Sequence, residues 1–245
     1  PTNFISKTFL KNWLRASFVE FKTILKISGL IILLLLILTA SVSKLNALVK
    51  NDLKDELILR WDRSLTGGYP FLSLQSLTYP PFFLNATIFS FVNLAIFLIV
   101  GAIYIFYTNR KIFFELASAF CLELIIMFPL WFFLPALSPQ DRLIENIYHL
   151  PIPQEIRSPL NNYHPQKEVT DFLGAVRNYK EKFKNLPTTT FPSAHVAWAI
   201  ILAFYLFRLN WLLALIVSPM LILSSFGTFF LAQHYFVDIP ASILV

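Results

Sequence analysis

Apolar runs of about twenty residues constrain the fold of this chain more than any other feature. A helix needs roughly 20 apolar residues to cross the hydrocarbon core of a bilayer. Several such runs occur among the 245 residues, of which 56% are hydrophobic and 14% are charged. Soluble domains carry roughly 25% charged residues. The composition therefore excludes a soluble domain and predicts an integral membrane protein.

The positions of the apolar runs predict an all-α, polytopic helical bundle with six transmembrane spans, the last of them truncated. Residues 1–23 mix aromatic and basic side chains at three- and four-residue spacing, which is typical of an amphipathic helix at a membrane interface. The spans are predicted at residues 24–42, 84–107, 112–134, 193–208 and 210–232, and near the end of the chain from Tyr235 onward.

Basic residues beside the spans predict the orientation, because such residues concentrate on the cytoplasmic side. They lie in the amino-terminal segment, at Arg110 and Lys111, and at Arg208. A cytoplasmic amino terminus places all of them inside, so the net charge of +6 reflects topology rather than nucleic-acid binding. The long connections 43–83 and 135–192 then lie on the periplasmic, extracellular or lumenal side. We interpret them as caps on one bundle, so that residues 1–245 form a single domain.

Two histidines at span ends are the leading candidates for catalysis. His195 opens the fourth span and His234 ends the fifth, so the predicted topology brings both to the outer face. Asp238 follows His234 by four residues, a spacing that places two helical side chains about 5–6 Å apart. A carboxylate there can orient the imidazole and leave its other nitrogen free. The arrangement predicts a nucleophilic His234, oriented by Asp238, with His195 transferring protons.

Phosphoryl transfer fits these residue types, because it needs a nucleophile in line with the leaving group and donors around the non-bridging oxygens. Ser193 precedes the fourth span as a predicted helix N-cap, and such a position can bind an anion. Arg142 follows the third span and can clamp a phosphate by charge-assisted hydrogen bonds. His195 lies thirteen residues before Arg208. That separation is about 20 Å along a helix, which predicts a site near the lipid headgroups.

The two histidine motifs resemble those of the type-2 phosphatidic acid phosphatase superfamily. That family carries K-x6-R-P, P-S-G-H and S-R-x5-H-x3-D, and this chain has P-S-A-H at residues 192–195 and Thr228-x5-His234-x3-Asp238. No K-x6-R-P occurs, and Thr228 replaces the arginine of the third motif. In both departures the chain resembles the inositol phosphorylceramide synthase branch of the family. In that branch a proline-rich element ending in arginine replaces the first motif, and residues 135–142 here are similar to that element.

The resemblance covers about residues 129–240 and implies both a fold and a chemistry. It implies a six-helix bundle, a phosphohistidine intermediate at His234, acid–base catalysis by His195 and orientation by Asp238. It implies no metal and no cofactor. The expected substrate is a membrane phospholipid, a sphingolipid or an isoprenoid phosphate, and no nucleic acid is expected as a partner.

The sequence therefore predicts a metal-independent, histidine-dependent lipid phosphatase. Transfer of a phospho-headgroup to a lipid or sugar alcohol is the first alternative, which Thr228 favours. Hydrolysis is preferred because no second-substrate pocket is recognisable. An inactive lipid-binding or transport protein is an alternative from another class, and a scaffold that uses the outer connections is a further one.

Several other polar residues need an interpretation. Glu123 lies midway along the third span, where an ionisable side chain indicates a functional role by default. We favour a structural interpretation, in which Glu123 is protonated and hydrogen-bonded to Asn93. Asp62 and Arg63, in the stretch WDRSLTGG, either pair with each other's neighbours or shape the entrance to the site. His149 and His164 are expected to be solvated.

Overall fold

The computed structural model divides into two compact units, Pro1–Leu38 and Thr39–Val245. The described positions of the first unit are helical. Most of the predicted interfacial helix and much of the first span lie outside the described residues. The structure describes residues 40–48, 52–146, 149–183 and 188–245, and single positions between 18 and 38.

Helices form nearly all of the second unit, and the described residues contain no β-sheet. One isolated parallel bridge joins Ala136 to Thr189. The architecture thus confirms the predicted all-α class. After a helical segment at residues 40–48, the elements are α1 (Asp55–Thr66), α2 (Pro70–Ser73), α3 (Pro81–Val92), α4 (Leu94–Thr108), α5 (Arg110–Phe133), a π-helical turn (Gln140–Ile144), α6 (Gln154–Asn161), α7 (Lys167–Phe183), α8 (Ala194–Leu209), α9 (Trp211–Phe230) and α10 (Asp238–Ile243).

The helices confirm a membrane protein but not the full number of predicted spans. Within the described residues, α5 and α9 are long and apolar enough to cross a bilayer, and α3 with α4 makes a third span if the bent pair is counted as one. Helix α8 is apolar but has 16 residues, which is about 24 Å of helix. Helix α10 has six residues. The total of six spans stays a prediction.

The span predicted over residues 84–107 corresponds to two helices, α3 and α4, between which the chain bends by 62°. Asn93 lies at the bend, and its side-chain amide donates to the Phe89 carbonyl oxygen at 2.8 Å. The backbone N–H of Asn93 donates to the same oxygen at 3.0 Å. Asparagine side chains compete for backbone partners in this way and disfavour a helix interior. One polar residue therefore interrupts an apolar run that hydropathy alone reads as continuous.

The outer connection 43–83, which the sequence predicts to cap the bundle, contains the docked helix α1. The residues of α1 that face the protein are Asp55, Ile58, Leu59 and Asp62, all of them buried. Their spacing of zero, three, four and seven residues is that of one helix face. Two of the four are acidic, so the stripe is not visible as an apolar pattern. The sequence also predicts a surface helix that begins near Glu168 in the second outer connection, and α7 confirms it.

Helix α8 lies at the centre of the bundle and packs against α4, α5, α9 and α10, while α9 also packs against α3. Gly227 allows α3 to approach α9 closely, since a Cβ there would lie 3.1 Å from the Phe91 Cβ and 3.4 Å from the Thr87 Cγ2. The Phe91 ring stacks on His195 with centroids 4.5 Å apart. Because Phe91 belongs to α3, the packing of α3 on α9 positions the ring that stacks on His195, near the start of α8.

A larger side chain at Gly227 should separate α3 from α9. We expect Gly227→Leu to destabilise the protein by about 1–3 kcal/mol, the usual cost of overpacking, and to lower the Tm in detergent. Gly174→Leu is the matched control, because a Cβ at Gly174 in α7 meets nothing within 4 Å. Leucine also has the higher helix propensity. Equal Tm values for the two variants would contradict this account of the packing.

Candidate active site

The amino-terminal end of α8 is fixed by Ser193. Its hydroxyl oxygen accepts a hydrogen bond from the Val196 N–H at 3.4 Å, so Ser193 is the N-cap that the sequence predicted. Its carbonyl oxygen accepts a hydrogen bond from the Ser242 hydroxyl of α10 at 2.9 Å. The start of α8 is therefore tied to α10, the helix that begins with Asp238.

Residues of α9 and α3 hold the His195 side chain. Its Nε2 lies 2.9 Å from the Oγ of Ser224 in α9, and its ring stacks on Phe91 at an interplanar angle of 20°. Ser224 is fully buried. Its role could not be found from the sequence, because no motif or regular spacing marks it. Among the described residues, the Nδ1 of His195 has no hydrogen-bond partner.

His234 makes two hydrogen bonds that define its tautomer. Its Nδ1 lies 2.8 Å from the Thr190 carbonyl oxygen and 2.9 Å from Asp238 Oδ2. A carbonyl oxygen can only accept, so Nδ1 carries the proton. Nε2 therefore presents a lone pair, and no described residue is hydrogen-bonded to it. The structure thus brings His234 and Asp238 together.

The pair forms in a turn rather than within one helix. Asp238 is the first residue of α10, and its Oδ2 also accepts from the Tyr235 N–H at 3.2 Å. The His234 N–H donates to the Thr228 carbonyl oxygen at 2.9 Å. The side-chain hydroxyl of Thr228 donates to the Ser225 carbonyl oxygen. Thr228 thus shapes the turn through its backbone.

The two histidine motifs converge at one end of the bundle. Thr190 lies four residues before α8, so its hydrogen bond with His234 joins the segment entering α8 to the turn after α9. His195 and His234 are close enough for their charges to interact. The predicted topology, in which both residues reach one face, agrees with this geometry. His149 and His164 are exposed, as expected.

Arg142 lies in the π-helical turn and is 5% exposed. Its guanidinium donates to the carbonyl oxygens of Pro151 at 2.9 Å and Leu150 at 3.5 Å. It also interacts electrostatically with Tyr235, which follows His234 in the chain. Within the described part of the chain, no hydrogen bond joins Arg142 to His195 or His234. The structure therefore brings Arg142 beside the site and leaves its contact with phosphate as a prediction.

Three carboxyl groups interact electrostatically with the fully buried Tyr235, namely those of Asp55, Asp62 and Asp238. Burial raises the pKa of Asp55 to about 6, although the hydrogen bond from the Leu137 N–H lowers it in part. Burial likewise raises the pKa of Asp62 to about 7, and the negative charge of Asp238 adds to this effect. The sequence indicates no role for Asp55 and leaves the role of Asp62 open.

The predicted hydrogen bond between Glu123 and Asn93 is wrong. The indole N–H of Trp198, one turn after His195 in α8, donates to Glu123 Oε2 at 3.1 Å. The Asn93 amide instead donates within its own helix. Glu123 thus links α5 to the helix that carries His195. Across the described residues, no group of three or more His, Cys, Asp or Glu side chains could hold a metal ion.

Fold and site together define a helical membrane protein with a histidine–carboxylate pair and a second histidine at one end of its bundle. The family model of the PAP2 superfamily matches residues 56–245. This match covers more than half of the chain, and the protein belongs to the PAP2 superfamily. The chain matches no curated protein and no solved structure. Members are typically phosphatases or phosphotransferases, and the match does not distinguish branches within the superfamily.

The buried carboxyl group of Asp62 should make stability depend on pH. Its pKa rises from 3.8 to about 7 on folding. Between these values the folded protein keeps a proton that the unfolded chain releases. Stability should therefore fall as pH rises through this window, by up to about 1.4 kcal/mol per pH unit for one proton. Asp62→Asn should reduce this slope.

Thermal unfolding in detergent at pH 5 and pH 8 checks the pH dependence. Asp52→Asn is the control, because Asp52 is exposed and close to the same helix. We expect Asp52→Asn to keep the difference in Tm between the two pH values. The same difference in Asp62→Asn as in the unmodified protein would show that Asp62 does not titrate in this range.

Proposed function

We propose that this protein removes phosphate from a phosphorylated membrane lipid through a phosphohistidine intermediate, without a metal. The observation that carries the proposal is the double hydrogen bond of His234 Nδ1 to Thr190 and Asp238. Those two acceptors fix one tautomer and leave the Nε2 lone pair available. A histidine held in this way is preorganised as a nucleophile.

In the first step, His234 Nε2 attacks phosphorus and a nitrogen–phosphorus bond forms. The bond between phosphorus and the lipid oxygen breaks, and the electron pair leaves with that oxygen. His195 enters the step protonated and gives its proton to the departing oxygen, which leaves as the lipid alcohol. Asp238 stabilises the positive charge that develops on the His234 ring.

In the second step, water attacks the phosphohistidine. His195, now neutral, takes a proton from the water while the new oxygen–phosphorus bond forms. The nitrogen–phosphorus bond breaks, inorganic phosphate leaves and His234 recovers its Nε2 lone pair. The hydrogen bond between His195 Nε2 and Ser224 supports this role, because it fixes the ring and leaves Nδ1 for proton transfer.

The phosphate oxygens need donors, and two predicted residues supply them in this proposal. Arg142 uses two of its five N–H groups on loop carbonyl oxygens within the described chain. The remaining N–H groups can bind a phosphate. The Ser193 hydroxyl accepts from Val196 but keeps its own hydrogen for donation. The first turn of α8 adds free N–H groups behind it.

The proposed location is the outer leaflet, with the amino terminus in the cytoplasm. Basic residues at the opposite end of the bundle support this orientation. Arg208 at the end of α8 pairs with Glu115 near the start of α5 at 2.5 Å, beside Arg110 and Lys111. The positive-inside rule places that end in the cytoplasm, and His195 then lies toward the other leaflet.

Loss of either histidine should abolish or strongly reduce turnover. We expect His234→Ala to lose nearly all activity, because no nucleophile remains. His195→Ala should reduce kcat by about 10²–10⁴-fold, the usual contribution of a general acid–base group. Release of phosphate from a lipid monophosphate in detergent measures both effects. His164→Ala is the matched control, because His164 is exposed in the outer segment.

Retained activity in a folded His234→Ala variant would contradict the phosphohistidine mechanism. It would favour the alternative of a lipid-binding or transport protein that keeps the fold without the chemistry. Activity that survives chelation of magnesium is expected, since no step uses a metal. Loss of activity on chelation, followed by recovery with added magnesium, would contradict the metal-independent proposal.

Phosphotransfer to an alcohol is the second candidate, and Thr228 is the residue that favours it. Thr228 replaces an arginine of the family motif, so one positive charge that would hold phosphate is missing. The two candidates differ in the acceptor of the second step. Phosphate release without an added alcohol indicates hydrolysis. No release until a lipid or sugar alcohol is supplied, with the phosphorylated alcohol as product, indicates transfer.

A further inference from the structure

Asp62 connects the outer helix α1 to the turn that carries the nucleophile. Asp62 is fully buried, and its Oδ1 accepts a hydrogen bond from the Val237 N–H at 2.7 Å. Val237 lies between His234 and Asp238, at the N-cap position of α10, and makes no side-chain cap of its own. The free N–H groups at a helix start need partners from elsewhere. Asp62 is the partner of the Val237 N–H, although the two residues are 175 positions apart in the chain.

Asp55 makes an equivalent connection at the other end of α1. It is 3% exposed, and its Oδ1 accepts a hydrogen bond from the Leu137 N–H at 2.7 Å. The Lys54 N–H, one residue earlier, donates to the Pro135 carbonyl oxygen at 2.8 Å. The segment that begins with Pro135 continues into the π-helical turn with Arg142. Asp55 and Asp62 are two helical turns apart, which is about 10.5 Å along α1.

We infer that α1 is a positioning element, whose two buried carboxyl groups hold the segment of Arg142 and the turn of His234 and Asp238 at a fixed separation. This inference rests on the proposed function. It makes Asp62 a positioning residue for the nucleophile and Asp55 a positioning residue for the phosphate-binding segment.

Docking of α1 does not itself require carboxylates. Ile58 and Leu59 lie in the same apolar cluster as Phe71 and Tyr235, so apolar contacts already attach the helix. An exposed ion pair between Arg63 and Glu155 adds a further tether. An apolar residue in place of Asp62 would avoid the cost of burying a carboxyl group. The use of two acids on this face is therefore explained by the backbone N–H groups that they bind.

The experiment uses the full chain in detergent, with a lipid monophosphate as substrate and phosphate release as readout. Asp62→Leu keeps a similar shape but removes the acceptor, and we expect kcat to fall by about 10²-fold with KM unchanged, as for a misplaced catalytic group. Asp62→Asn keeps an acceptor oxygen for Val237 and should restore kcat to within about threefold. Asp55→Leu should instead raise KM, because phosphate binding is loosened.

Ile58→Ala is the matched control for stability. It removes buried apolar contact from the same helix but leaves both carboxylates, so it should lower the Tm while kcat of the folded protein stays unchanged. Should Asp62→Leu fail to fold, Asp62→Ala replaces it under the same comparison. A kcat for Asp62→Leu or Asp62→Ala equal to that of Ile58→Ala would overturn the inference. An unchanged KM for Asp55→Leu would overturn its second half.

The unmodified protein and His234→Ala separate this inference from the proposed function. If the unmodified protein releases phosphate and His234→Ala does not, the proposed function stands, and Asp62→Leu tests the positioning role alone. If His234→Ala is as active as the unmodified protein, the proposed function fails and the positioning inference fails with it. Normal kcat in Asp62→Leu beside an inactive His234→Ala overturns the positioning role only.

Discussion

The hydrogen bond from His234 Nδ1 to the Thr190 carbonyl oxygen is the interaction on which the site depends. It connects the segment before α8 to the turn after α9, and it fixes the imidazole tautomer whatever the protonation state of Asp238. Asp238 alone would leave that choice open, because a protonated carboxyl group can donate. The backbone of one motif thus decides the chemistry that the side chain of the other motif can perform.

Burial of charge is the second constraint on this end of the protein. Asp55, Asp62 and Asp238 all interact electrostatically with the buried Tyr235, as does the basic residue Arg142. Buried carboxyl groups are unfavourable unless hydrogen bonds satisfy them. Each of these acids accepts a backbone N–H, from Leu137, Val237 and Tyr235 respectively. These hydrogen bonds offset the free-energy cost of burying the three acids, and they depend on the backbone conformation of the segments that form the site.

The sequence predicted the class of fold and the central pair of the site, and its failures have physical causes. Hydropathy identified α5 and α9 but not the bend at Asn93, because the side-chain hydrogen bond to Phe89 depends on local geometry. Helix α1 was missed because two of the four residues on its buried face are acidic. Glu123 was assigned to Asn93, since depth along a helix does not specify which neighbouring helix its side chain meets.

By itself, the sequence determined a helical membrane protein and the adjacency of His234 and Asp238, because hydropathy and short spacings act within a few turns of the chain. Only the tertiary structure decided that Thr190 meets His234, that Ser224 holds His195 and that Asp62 binds Val237. These contacts join residues 44, 29 and 175 positions apart. Their formation depends on how the helices pack, and packing is a property of the whole bundle rather than of any one segment.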